Sequence, residues 1–220
     1  MMNISVSHNY RMAAHAVGII LTVFLPLSAH GDRNVIAPSG LIVPPNSIKL
    51  EGLAAMKDFA TNMEWVNIGM PQQIIGLELE AQRFITHGNQ RNAISAQYSL
   101  TGNAFTDLAP AFSVGVKDLL RTGLDGQSAY FVMTKGIRLS TSQERILRDF
   151  KITTGYGTSR MGGPFGGVQT QLAIGAQLNA EFVAHHVNAS FAVPLNKHFN
   201  AKIYNLNREM YYGLSFSLIK

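Results

Sequence analysis

The chain has 220 residues, no cysteine, and only 14% charged residues, where a soluble domain carries about a quarter. Its formal charge is +5 and its mean hydropathy is +0.08. The missing cysteine excludes a disulfide scaffold, a thiol nucleophile and a lipid anchor on cysteine, and the basic residues form no stripe that would suit nucleic acid.

Residues 1–31 read as a cleaved export signal and are set aside from the fold. Arg11 closes a weakly basic start, with Met12 as an alternative first residue. Val17 to Leu27 is an apolar run of about half the length that spans a bilayer as a helix. Ser28-Ala29-His30-Gly31 supplies small residues for cleavage after Ala29 or Gly31. Beyond that point the chain holds 17 basic and 13 acidic residues, a mild excess. Residues 32–47 are rich in Pro and Gly and predict an irregular lead-in.

From residue 48 onward, apolar residues recur at every second position, the period that separates the two faces of a strand. About twelve strands (10–14) are expected. The first covers Ile48–Leu53, with Lys49 and Glu51 on the alternate face, and the second Glu64–Gly69, with the sole Trp at 65. The third spans Gln73–Phe84 and sets Leu77, Leu79 and Ala81 against Glu78, Glu80 and Gln82. Strands follow at Asn92–Thr101, Ala111–Asp118, Ser128–Gly136, Asp149–Gly157, Gly166–Leu172, Ala176–Val183 and Val187–Val193. Phe199–Tyr204 and Tyr211–Leu218 form a closing hairpin around a polar turn at Asn205–Arg208. Residues 54–62 and 138–148 fit either a turn or a short helix, and residues 118–125 fit a loop.

The second face decides between a soluble sandwich and a membrane barrel. It is mostly Gly, Ser, Asn, Gln and Thr, where a solvated sandwich face would carry more Lys and Glu. A narrow polar lumen suits such residues, and lipid contact requires a closed sheet. The prediction is an all-β, antiparallel up-and-down transmembrane barrel over residues 48–220, in the outer membrane of a Gram-negative-type bacterium. Tyr98, Tyr130, Tyr156, Tyr204, Tyr211 and Tyr212 lie near strand ends and suit interfacial girdles. Lipid and the barrel assembly machinery are the partners this fold implies.

Several segments carry a family resemblance. They are Gly40-Leu41-Ile42 with Pro44, Pro110 to Asp118, Tyr130-Phe131-Val132 with Thr134-Lys135, and Gly155-Tyr156-Gly157. Pro164 to Val168, Ala180-Glu181-Phe182 with Val187-Asn188, and Tyr212 to Phe216 complete the series. Over roughly residues 38–220 the chain resembles the YjbH-type outer-membrane barrels linked to exopolysaccharide production. That resemblance implies a structural or envelope role, with polysaccharide or other envelope proteins as partners. Typical members are longer and carry further domains. Many outer-membrane proteins also end in an aromatic residue, where this chain ends Leu218-Ile219-Lys220.

No catalytic, cofactor or metal motif stands out. Adjacent His185 and His186 would point to opposite faces, a poor pair of metal ligands. Gly162 to Gly167 lacks the Lys and the following helix of a phosphate loop. The candidate functional residues are the ionisable groups of the predicted inner face: Glu78, Glu80, Lys117, Lys151, Glu181 and Lys202. They fit either ion pairs that rigidify a narrow barrel or the lining of a pore for a polar solute. The expectation is a non-enzymatic outer-membrane barrel with an envelope role. A small porin is the alternative, and a lipid hydrolase built on His186, Ser190 and Glu181 is a further one.

Overall fold

The computed structural model describes residues 36–70, 76–101, 109–123, 126–137 and 146–218. The expected signal at 1–31, the start of the predicted third strand at 73–75, most of the 138–148 stretch and the final Ile219-Lys220 lie outside the described residues.

Twelve antiparallel strands close into one barrel. They are β1 (Ile48–Ala55), β2 (Thr61–Gly69), β3 (Leu77–Thr86), β4 (Asn89–Ser99), β5 (Ala111–Lys117) and β6 (Ser128–Ile137). β7 (Leu147–Gly157), β8 (Gly163–Leu172), β9 (Gln177–Val183), β10 (His186–Pro194), β11 (Phe199–Leu206) and β12 (Glu209–Leu218) follow. Each strand pairs with its sequence neighbours. β1 and β12 seal the seam from Ile48 against Leu218 to Ala55 against Tyr211. Closure leaves no unpaired edge, the condition for a sheet to sit in lipid.

The strands start and stop where turn chemistry dictates. The 56–60 segment is a turn and not a helix. The Asp58 carboxylate accepts the Ala60 N–H at 2.9 Å, and the Met56 N–H extends the ladder to the Met210 carbonyl at 2.8 Å. Two-residue turns at His87-Gly88, Ala184-His185 and Asn207-Arg208 have positive φ at both positions, the twist that matches flanking strands. All three lie at one rim, here the distal rim. The opposite, terminal rim carries the start of β1 and the end of β12.

Alternation separates two faces. Outward lie Ile48, Leu50, Ile68, Ile94, Val114, Phe131, Ile152, Val168, Leu178, Phe191, Ile203 and Leu214, all more than a third exposed. A continuous apolar wall of that extent has no counterpart on a soluble monomer, where patches reach a few hundred Å². Of the six tyrosines expected at interfaces, Tyr98, Tyr156 and Tyr212 are exposed on this outer wall. Tyr130, Tyr204 and Tyr211 turn inward and are buried. The correction follows from parity: Tyr130 shares its face with Ser128 and Val132, and Tyr204 with Lys202 and Leu206.

Inside, the barrel is filled rather than hollow. Side chains just fill the interior of an eight-stranded barrel, and twelve strands enclose more. Two features take up the difference. In the distal half, Leu53, Met63, Trp65, Tyr204, Leu206 and Tyr211 pack as one apolar cluster on β1, β2, β11 and β12. A second cluster joins Ala37 to Tyr130, Val132, Met161, Phe165 and Val183. Ala37 belongs to the predicted lead-in. From Ile36 onward that segment runs through the barrel.

Candidate functional site: the strap-filled lumen

Residues 36–47 form an internal strap. It starts near the distal rim beside Lys117 and Glu181 and descends past Thr134 and Ser113. At the terminal rim it reaches Glu78 and Gly69 and turns back into β1. It belongs to no strand and bends at Ile36-Ala37 and at Gly40 on the way. Ala37, Ser39, Leu41, Ile42 and Val43 are all buried.

The sequence of the strap explains its conformation but not, at first sight, its location. Pro38, Pro44 and Pro45 bar a helix and a ladder. Ile36, Ala37, Leu41, Ile42 and Val43 are apolar; Ile36 and Ala37 meet the two apolar clusters, but much of the remaining facing wall is polar. The wall resolves this by binding the main chain. Glu181 accepts the Ile36 N–H on Oε1 and the Ala37 N–H on Oε2, each at 2.8 Å. Lys117 Nζ donates to the Ile36 carbonyl at 2.7 Å. Gln97 Nε2 donates to the Ser39 carbonyl at 2.6 Å and, at 3.5 Å, to that of Leu41. Thr134 Oγ1 accepts the Gly40 N–H and Ser113 Oγ donates to the Gly40 carbonyl, both at 2.8 Å. Glu78 Oε2 accepts the Val43 N–H at 2.7 Å. A buried, irregular backbone needs such partners, because each unpaired group would cost a desolvation penalty of roughly 1–3 kcal/mol.

Gly40 sits where the strap touches the wall most closely. A Cβ there would overlap the Ala111 carbonyl oxygen and the Thr134 amide nitrogen. Any larger residue must lift the strap from β5 and β6.

The strand register turns all six candidate ionisable residues inward. Three of them, Glu78, Lys117 and Glu181, hold the strap. Glu80 shares the Asn67 side-chain amide with Glu78, at 3.1 and 2.7 Å. Lys151 pairs with Asp149 at 3.0 Å near the terminal rim. Lys202 is on the far wall, where its Nζ reaches Glu51 Oε2 at 2.9 Å.

That last contact belongs to a group whose other members sequence reasoning passed over. Glu51 also meets Lys49 Nζ at 3.6 Å and accepts the Tyr204 hydroxyl, and all four side chains are buried. The signal was present in the alternation of Lys49 and Glu51 with Ile48 and Leu50. The strap also had a signal. Residues 34–48 contain no charge and no two-residue period. An apolar stretch that is neither strand nor helix has to be buried against something.

Little free volume remains beside the strap. A cavity lined by Lys49, Asn67, Glu78, Glu80, Gln97 and Lys117 holds about 40 Å³, which is water-sized. A larger cavity of about 230 Å³ opens at the distal rim between Trp65, Phe84, Arg91, Lys117 and Tyr211. Both are smaller than the roughly 300–1,000 Å³ of a typical small-molecule site.

The hydrolase arrangement is not assembled. His186 and Ser190 share the inner face of β10 but lie four strand residues apart, about 13 Å. Asn179 Nδ2 donates to Ser190 Oγ at 2.9 Å, and Asn188 Nδ2 donates to Glu181 Oε1 at 2.9 Å. No group of three or more His, Asp or Glu suited to a metal ion occurs among the described residues.

Fold and lumen together define the class: a closed, twelve-stranded antiparallel β-barrel of the outer-membrane type. Among solved structures, the chain is similar to one described as "KdgM porin", with 12% identity over 79% of this chain and 99% of that one, at a TM-score of 0.50. At that identity the likeness is one of fold. A mutant of the Rh. blastica porin aligns at 9% identity over 72% of this chain and 56% of its own, at a TM-score of 0.33. No protein-family model and no curated protein matches the sequence.

Proposed function

We propose that the chain is a non-enzymatic, porin-type barrel of the Gram-negative outer membrane whose route for a polar solute is closed at rest by its own strap. The observation that carries this reading is the nature of the lumen wall. It is a polar, ionisable surface wrapped around a segment that is hydrogen-bonded to it but belongs to no strand. A barrel needing only rigidity could fill the same space with apolar side chains. The likeness in fold to a protein described as a porin supports the same reading.

The test is conductance in planar bilayers. Wild-type protein should be nearly silent. Gly40→Val should give sustained openings, because the strap can no longer seat while every barrel strand is unchanged. A heat-modifiable band on gels should accompany both proteins, and a soluble periplasmic product without that band would overturn the barrel itself.

A second reading is favoured by the two apolar clusters and the buried Glu51 group: a permanently filled barrel with a structural role in the envelope. This is the role implied by the resemblance to exopolysaccharide-linked barrels. Silence of Gly40→Val, with a normal heat-modifiable band and a protease-accessible strap, would select it over the channel.

A further inference from the structure

The hydrogen bonds between wall and strap share a property that bears on what else the lumen binds. Eight of them run from wall side chains to main-chain atoms of residues 36–43. In this segment only Ser39 has a polar side chain, and its hydroxyl is used within the strap, on the Leu41 carbonyl and amide at 3.1 and 3.0 Å. The wall thus reads the main chain of a segment that bends at Ile36-Ala37 and at Gly40: a carboxylate across two successive N–H groups, and an ammonium, an amide and hydroxyls at the neighbouring carbonyls and amides. Side chains enter only as shape. Ala37 fits a tight apolar pocket, and Gly40 leaves no room for a Cβ.

We infer that the lumen is a binding site for peptide backbone in the bent course the strap follows, and that a short peptide with small residues at the two tight positions takes the strap's place when the strap is displaced. This rests on the proposed movable strap and names the solute class as peptide. The strap is then a competing, tethered ligand. At a tether of this length its effective concentration is in the millimolar range, so a free peptide competes only once the strap is weakened.

Full-length Gly40→Val in detergent micelles supplies the weakened state. The probe is a fluorescently labelled octapeptide with the strap sequence Ile-Ala-Pro-Ser-Gly-Leu-Ile-Val, followed by anisotropy. Its binding should survive replacement of the residues corresponding to Leu41 and Ile42 by Ala. Binding should weaken about tenfold or more when the amides corresponding to Ala37 and Val43 are N-methylated, since each then loses a bond to a carboxylate. Glu181→Gln added to Gly40→Val should weaken the unmodified peptide in the same direction. Equal binding of the N-methylated and unmodified peptides, or no binding to a Gly40→Val barrel whose strap is protease-accessible, overturns the inference. Anisotropy is independent of current. Peptide binding without conductance would remove the channel and keep the backbone site. Conductance without peptide binding would do the reverse, and block of a sulfated or neutral oligosaccharide current alone would assign the lumen to glycans instead.

Discussion

The two sides of the lumen are stabilised by different means. The seam side, made by β11, β12, β1 and β2, is held mostly by its own side chains, with Ile36 of the strap packed against its apolar cluster. Its lower half pairs Glu51 with Lys202, Lys49 and Tyr204, and its upper half packs Leu53, Met63, Trp65, Leu206 and Tyr211. The opposite side, made by β3, β4, β5, β6 and β9, is completed by the strap. Glu78, Gln97, Ser113, Lys117, Thr134 and Glu181 all direct polar atoms at it. The seam closes the barrel and has to hold whether or not the lumen is occupied. The opposite wall sets these polar groups beside Tyr130, Val132, Phe165 and Val183, which pack on Ala37 of the strap.

The largest expected effect lies on the seam. Glu51→Leu strands the buried ammonium groups of Lys202 and Lys49 without their carboxylate. Removing one partner of a buried ion pair costs about 3–5 kcal/mol. The urea midpoint of the heat-modifiable band should fall accordingly, and adding Lys202→Met should recover part of the loss. A midpoint within error of wild type would show that the seam is as wet as the strap side, and the contrast would be lost.

On the strap side the corresponding change should act on opening rather than on folding. Glu181→Gln keeps the shape but removes the charge from two hydrogen bonds to the strap, each of the charge-assisted kind worth roughly 1.5–3 kcal/mol. Openings in planar bilayers should become about tenfold more frequent or more, with the urea midpoint nearly unmoved. Ser113→Ala is a milder version. It removes one neutral bond to the Gly40 carbonyl, worth about 1 kcal/mol, and should raise opening severalfold. A fall in the urea midpoint matching that of Glu51→Leu would mean that the strap is part of the folding core.

The two sides also differ in how far they could be read from the chain. The barrel was legible because alternation is a local signal. Ile94, Ala96 and Tyr98 against Ser95 and Gln97 place β4 without any knowledge of its neighbours. Inward ionisable groups follow from the same parity. Their partners do not, because Lys202 meets Glu51 across 151 residues and Glu181 meets Ile36 across 145. Pairings at that separation depend on barrel closure, which no local pattern records. The position of the strap was not legible for a related reason. Pro and Gly correctly mark residues 36–47 as irregular, but irregular chain is ordinarily on the surface. Here the wall supplies the backbone partners that water would otherwise provide. Tyr130, Tyr204 and Tyr211 were misread because being near a strand end says nothing about the face, and parity alone would have turned them inward.

The smallest expected effect tests whether the distal turns on the two sides carry equal strain. His185 in the β9–β10 turn has φ 66°, and Arg208 in the β11–β12 turn has φ 69°. Both are left-handed positions that Gly adopts freely and other residues at a cost. His185→Gly and Arg208→Gly should each stabilise the barrel by up to about 1 kcal/mol, offset in part by the added flexibility of the unfolded chain. The gain should be smaller at His185, whose ring also stacks edge-on against Phe182 at 6.4 Å. Neither change touches the strap, so neither should alter opening. A rise in opening with His185→Gly alone would show that the β9–β10 turn, next to Glu181, helps to hold that carboxylate on the strap. The strap-dependent side would then extend from the lumen wall to the rim above it.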